Sequence, residues 1–228
     1  FKIRHGVYCD ELGWEDSNRL KMEMDDFDVH SYHCLLEHKP SGNFAGCIRL
    51  VIPPLNKPEA QLPFERFCLD SLDKSIVDPS AITRGCFGEI SRLAVLSAFR
   101  RRSNEKNKPF IINQGVEVDL FSEEEKRNFP NISLGLYIAI ISLAELCNHS
   151  HMFMMMEPKL KRRLQRFGLN FIQAGEAMDY HGQRALFYIE LEGATDSIAP
   201  QLKELCDYIK SDLKNQMVFV PYTNPSDI

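Results

Sequence analysis

The sequence predicts an α/β fold, a sandwich of helices around one mixed sheet. Runs with strand-like patterning and runs with helical periodicity follow one another in the order helix, strands, helix, strand, helix, strands. Prolines and glycines fall between these runs, where turns and caps need them. With 228 residues, 44% of them hydrophobic and 26% charged, the chain can bury a sizeable core without disulfide or metal staples.

Residues 3–12 read as a helix that turns Ile3, Val7 and Leu12 to the core, and Gly13 and Trp14 break it. Residues 15–31 are polar and acid-rich, which predicts a surface loop. Residues 32–38 and 44–52 are strands joined by Lys39-Pro40-Ser41-Gly42-Asn43, a hairpin turn signal, and Pro53-Pro54 stops the second. Residues 55–88 are irregular except for a short helix over 64–71, and 89–95 is the next strand. Residues 96–130 form a basic-then-acidic insertion in which Glu123-Glu124-Glu125 is a solvated helix start.

Asn131 follows Pro130 and suits the N-cap of an apolar helix over 132–148. Residues 152–156 are a short buried strand. Pro158 fits the first position of a helix whose Leu160, Leu164 and Phe167 share one face, and Gly168 ends it. Strands over 171–174 and 185–191 and a terminal helix over 201–213 complete the series. One domain over 1–192, with a helical extension over 193–228 packed on it, is expected.

A net charge of −5 argues against a nucleic-acid binder. The seven cysteines are odd in number and scattered, with no CxxC pair, so a reducing compartment is expected with most thiols buried as small apolar groups. No signal peptide is legible, and the most apolar stretch, 134–146, is too short to span a bilayer and carries Glu145. A soluble, cytoplasmic protein is expected.

Four groups of residues stand in a telling order. They are Arg4-x3-Tyr8-x5-Trp14, Glu23-x-Asp25-x2-Asp28, Gly46-x2-Arg49-Leu50 and Glu89-x-Ser91-Arg92. This constellation resembles the acyl-homoserine-lactone synthases, the autoinducer-making branch of the GNAT-like acyltransferases. Further runs resemble the acyltransferases associated with exosortase (PEP-CTERM) systems of bacteria. These are Val7-Tyr8-Cys9, His30-Ser31, Glu89 to Val95, Phe99-Arg100-Arg101-Arg102, Leu134 to Tyr137, Met156-Glu157-Pro158 and Asp179 to Gly182. The N-acyl amino acid synthases share the general design, and the resemblance covers about residues 4–192.

The resemblance implies a GNAT-like α/β/α sandwich with a mixed, splayed sheet. Strands 89–95 and 152–156 would part to admit the pantetheine arm, with Leu93 and Val95 on the donor's side and the first strand's backbone bonding the arm. An acetyl-CoA enzyme carries a glycine-rich loop after that strand to cradle pyrophosphate. Here Arg100, Arg101 and Arg102 stand in its place, and no glycine follows until Gly115. An acyl-carrier protein presents one phosphodiester and an acidic surface, so the donor implied is carrier-borne rather than acyl-CoA.

Glu89 is the implied base for the acceptor amine, with Ser91 and Arg92 beside it. Strict alternation sets Glu89, Ser91, Leu93 and Val95 on one face and Arg92 on the other. Arg92 joins Glu89 only across a bulge, and is otherwise structural, paired with Asp25 or Asp28. Arg4, Tyr8, Trp14, Asp25, Asp28 and Arg49 are the implied acceptor-binding set. The charged members also suit an ion-pair network, and Trp14 suits a core residue as well as a lid. Met154 and Met156, with Leu136, Tyr137 and Ile140, would line an acyl tunnel or simply fill the core. The basic run Lys159, Lys161, Arg162, Arg163 and Arg166 is either a solvated helix face or a carrier dock.

No metal is expected, because the spacing of His30, His33, Cys34 and His38 matches no standard site. Cys86 near Glu89 is not needed as a nucleophile, since direct transfer forms no covalent enzyme intermediate. No cofactor is expected to be bound; the acyl donor is a substrate. The expected activity is transfer of a medium- or long-chain acyl group from acyl-carrier protein to the amine of an amino acid or similar molecule. The alternatives are acyl-homoserine-lactone synthesis from S-adenosylmethionine and a non-catalytic acyl-binding or regulatory protein.

Overall fold

The computed structural model describes residues 1–54, 56–99, 123–179 and 182–217. Lys2–Arg4 (α1) leads into a π-helical segment over His5–Glu11, and β1 (Ser31–His38) and β2 (Asn43–Val51) follow. Next come α2 (Pro63–Phe67), β3 (Phe87–Val95), α3 (Glu123–Leu146), β4 (His151–Met156) and α4 (Pro158–Gln165). β5 (Ile172–Gln173), β6 (Met178–Asp179), β7 (Gln183–Glu190) and α5 (Lys203–Met217) complete the described elements. The seven strands form one mixed sheet in the order β1-β2-β3-β4-β7-β5, with β6 also on β7. No helix among the described residues is long and apolar enough to cross a membrane.

The chain divides into two compact units. The first comprises Phe1–Asp26, His33–Arg49 and Arg92–Tyr137. Its small core joins Val7, Cys47 and Ala94, with Ile3, Tyr8 and Leu96 packed against them. Gly46 is required there by close approach. A Cβ on it would lie 2.8 Å from the Ala94 carbonyl oxygen and 3.1 Å from both Leu136 Cδ1 and Val95 Cγ2. At the β1–β2 turn, Gly42 takes φ +66 and donates its N–H to the His38 carbonyl at 2.9 Å.

The second unit comprises Phe27–Tyr32, Leu50–Ser91 and Ile138–Ile228. Its aromatic-rich core gathers Phe27, Phe64, Phe87, Phe153 and Tyr188 with Val51, Leu62 and Leu186. Phe153 stacks on Phe64 at 4.4 Å between centroids and meets Phe87 edge-on at 5.7 Å. Burying each such ring is worth about 1.5–3 kcal/mol. β3 and β4 are parallel in the register Phe87↔His151, Gly88↔Met152, Glu89↔Phe153, and β4 then continues to Met156 with β7 antiparallel along its other edge. Phe153 and Met155 face the aromatic core, so Met152, Met154 and Met156 share the opposite face. α5 is tied to α3 through Glu145, which accepts from Lys210 Nζ at 2.6 Å and from the Thr195 hydroxyl at 2.9 Å.

Four expectations are corrected here. The long helix begins at Glu123 and not at an Asn131 cap, so Pro130 lies inside it. The acidic first turn favours the earlier start, because negative charge suits a helix N-terminus. The first helix is π-helical over most of its length. Residues 15–31 are not simply a surface loop, since Glu23 and Phe27 are buried and Asp26–His30 forms a 3-10 turn. The terminal helix runs Lys203–Met217, beginning and ending later than 201–213.

Candidate active site

The first unit concentrates charge at one place. Glu23 and Asp25 are two residues apart, a spacing that puts both carboxylates on one side of an extended chain. Glu23 accepts from Arg4 Nε through one oxygen and from Arg92 Nε through the other, the latter at 3.1 Å. Asp25 accepts from Arg49 Nη1 at 2.6 Å and from Arg92 Nη2 at 3.0 Å. Arg4 and Arg49 are each 1% exposed and Glu23 is 5% exposed, whereas Arg92 and Asp25 keep 24%. The cluster therefore has a sealed base and an open face made by Arg92 and Asp25.

Arg92 owes its reach to its backbone. It takes φ +53, the left-handed conformation, in the middle of β3. A left-handed residue interrupts the regular pleat of a strand. Its guanidinium lies 5.7 Å over the Tyr8 ring, and Tyr8 in turn stacks against Trp14 at 6.0 Å. The Tyr8 hydroxyl donates to the Leu93 carbonyl at 2.7 Å, which fixes the ring beside β3. Burial works against the charge of Arg92, but Glu23 and Asp25 outweigh it and raise its pKa above the usual arginine value. The guanidinium stays charged.

Residues 3–107, which span every member of this cluster, match the acetyltransferase (GNAT) domain. Over that stretch, a little under half of its length, the chain is similar to GNAT acyltransferases. No curated protein matches it by sequence. Among solved structures, TofI in a ternary complex with an inhibitor and MTA is similar at 19% identity, covering 88% of this chain and 89% of that one, with a TM-score of 0.56. BjaI, a CoA-dependent acyl-homoserine lactone synthase solved with SAM and isopentyl-CoA, is similar at 18% identity, 92% and 79% coverage, and a TM-score of 0.55. The synthase LasI is similar at 16% identity, 85% and 83% coverage, and a TM-score of 0.56. At these identities the likeness is one of fold.

The chain thus brings Arg4, Tyr8, Trp14, Asp25, Arg49, Arg92 and Leu93 together in its first unit. Glu89, Ser91 and Asp28 belong to the second. Glu89 is 5% exposed, and its Oε2 accepts the Phe64 N–H at 2.6 Å, at the start of α2. Asp28 sits half-buried in the 3-10 turn Asp26–His30. Val95 is buried behind Gly46, with Leu136 beside it. Tyr137, Ile140, Met154 and Met156 are buried as well. Arg100, Arg101 and Arg102 lie outside the described residues.

Sequence reasoning left Glu23 out of the site. Its motif was legible, but a lone Glu in an acid-rich run looks solvated. The distinguishing signal is its two-residue offset from Asp25, with three arginines elsewhere to be neutralised.

Proposed function

We propose that this acyltransferase moves a medium- or long-chain fatty-acyl group from acyl-carrier protein to the amine of an amino acid or a similar small molecule. The observation that carries this reading is the arginine–carboxylate cluster beside Tyr8 and Trp14, inside the residues that match the GNAT domain. A small acceptor bearing both an amine and a carboxylate meets both signs of charge there, with aromatic faces for its apolar part.

In this reading Glu89 takes a proton from the acceptor amine, directly or through a water. The nitrogen attacks the thioester carbon, the C–S bond breaks, and the carrier's thiolate leaves and is protonated. Backbone N–H groups of β3 stabilise the oxyanion and hold the pantetheine arm, with Ser91 alongside. The Phe64 N–H aims the Glu89 carboxylate.

Two features support a carrier-borne donor. One is the arginine run in place of a glycine-rich loop after β3. The other is α4 with the residue after it, where Lys159, Arg162, Arg163 and Arg166 are exposed and complementary to an acidic partner, while Leu164 is buried. The row Met152, Met154 and Met156, with Leu136, Tyr137 and Ile140, supplies flexible apolar surface for the chain. The cytoplasm, where acyl carriers and free thiols coexist, is the compartment this implies. The motifs shared with exosortase-associated enzymes keep that association within the proposal.

Acyl-homoserine-lactone synthesis is the second reading, favoured by the fold shared with LasI and with BjaI, which was solved with SAM and isopentyl-CoA. BjaI also keeps acyl-CoA open as the donor. Incubation with acyl-carrier proteins of graded chain length, or with acyl-CoA, tests both readings. The acceptor is either pooled amino acids or S-adenosylmethionine, and products are read by mass spectrometry. An N-acyl amino acid supports the first reading and a lactone replaces it with the second. Transfer from acyl-CoA alone removes the carrier.

A further inference from the structure

Within the second unit, Glu89 is aimed by a backbone N–H that is itself held from outside. Its Oε2 accepts the Phe64 N–H at 2.6 Å. Phe64 lies in the first turn of α2, a helix of five residues, too short to hold its own shape in water. Glu65 closes the start of that helix by accepting the Leu62 N–H on Oε2 at 2.8 Å. Arg84 grips the same carboxylate twice, Nη1 to Oε1 at 2.6 Å and Nη2 to Oε2 at 3.2 Å. It also donates to the carbonyls of Pro58 at 3.0 Å and Ala60 at 2.7 Å, which fixes the segment leading into α2. The backbone of Arg84 belongs to the entrance of β3. It stands in the turn closed by the Cys86 N–H on the Thr83 carbonyl at 3.0 Å, just ahead of Phe87, where the strand begins. Its guanidinium lies 4.9 Å over the Phe87 ring.

Resting on the reading above that Glu89 is the base, we infer that Arg84 and Glu65 are positioning residues for its carboxylate. They act through α2 rather than on the reacting atoms. One guanidinium sets the segment that carries the Phe64 N–H against the strand that carries Glu89. Donor and acid are thereby placed by the same side chain. An N–H aimed at a carboxylate favours its charged form, which is the form that accepts a proton from an amine. A Glu89 carboxylate that swings off the N–H loses both its aim and that support. Lysine cannot stand in for Arg84, because an ammonium lacks the planar fork that spans two carboxylate oxygens and two carbonyls.

The Phe64 amide resonance of the intact, isotope-labelled protein reports the ionisation of Glu89 without any turnover. It is followed against pH in the parent, Glu89→Gln, Arg84→Lys and Glu65→Ala, with each fold checked by circular dichroism. A single titration is expected in the parent and none in Glu89→Gln. Arg84→Lys keeps the charge, so electrostatics alone leaves the midpoint in place. Lost positioning raises it by about half to one pH unit, a fraction of one hydrogen bond to a charged group. Glu65→Ala removes a negative charge, so electrostatics alone lowers the midpoint, whereas lost positioning raises it. A rise in both variants is the expected result. A midpoint unchanged or lowered in either folded variant, or an amide that still titrates in Glu89→Gln, overturns the inference. Because this readout needs neither donor nor acceptor, a failure to find any acyl-transfer product would sink the proposed function and not this coupling. Where product forms, the acid limb of its rate rises with the amide midpoint, and a limb that stays in place denies Glu89 the role of base.

Discussion

Glu23 and Arg92 stand 69 residues apart in sequence and meet at 3.1 Å, Oε1 to Nε, while the other oxygen of Glu23 holds Arg4. One buried carboxylate thus ties the N-terminal helix to β3. Breaking a buried pair by removing one partner leaves the other charge desolvated, which costs more than the pair itself contributes. Glu23→Ala should therefore lower stability by about 3–5 kcal/mol in urea denaturation. A loss under about 1 kcal/mol would mean that Arg4 finds solvent or another carboxylate at little cost.

The left-handed backbone at Arg92 predicts an order between two variants. Glycine and alanine at position 92 both lose every ion pair of the guanidinium. Only alanine must still carry a Cβ at φ +53. Arg92→Gly should be more stable than Arg92→Ala by about 1 kcal/mol, the reverse of the usual preference within a strand. Equal stabilities would indicate that β3 straightens once the side chain is gone.

The hairpin and α4 were legible because their signals are local: alternation around Gly42, and Pro158 ahead of the Leu164 face. The conformation of Arg92 was not. Nothing in Glu89-Ile90-Ser91-Arg92 marks a left-handed residue, although the pairing of Arg92 with Asp25 was among the readings the sequence allowed. Asn131 misled for a related reason. A cap residue after proline is a sound local signal, yet the acidic turn at Glu123 and the apolar run beyond carry the helix straight through. Glu89 was legible as the acid at the head of the strand, whereas its burial and its bond to the Phe64 N–H depend on tertiary packing.

Two glycines separate steric demand from backbone demand. Gly42 has φ +66 and open space around the position of a Cβ, so Gly42→Ala should cost only the left-handed penalty, about 1–2 kcal/mol. Gly46 has no such dihedral, but a Cβ there would press on the backbone carbonyl of Ala94 at 2.8 Å. Backbone cannot step aside as a side chain can, so Gly46→Ala should cost about 1–3 kcal/mol and displace β3 against β2. Amide exchange over 92–96 is the discriminating readout. Faster exchange is expected for Gly46→Ala and unchanged exchange for Gly42→Ala.

His149, just past α3, is 7% exposed, and burial pushes its imidazole down to about 4, outweighing the nearby carbonyls of Cys147 and Ala144. The native state therefore keeps it neutral where the unfolded chain, with an ordinary value near 6.5, already binds a proton. Below pH 6.5 the unfolded state gains protons that the native state refuses, so stability falls as pH falls, and the loss is complete near pH 4. A displacement from 6.5 to about 4 is worth on the order of 3 kcal/mol. Replacement by an apolar ring of similar size removes the titration. His149→Phe should flatten the fall in stability between pH 6.5 and 4, measured by urea midpoints across that window, and leave stability at pH 7.5 within about 1.5 kcal/mol of the parent. An unaltered slope would assign the acid sensitivity to other groups and place the imidazole in contact with water.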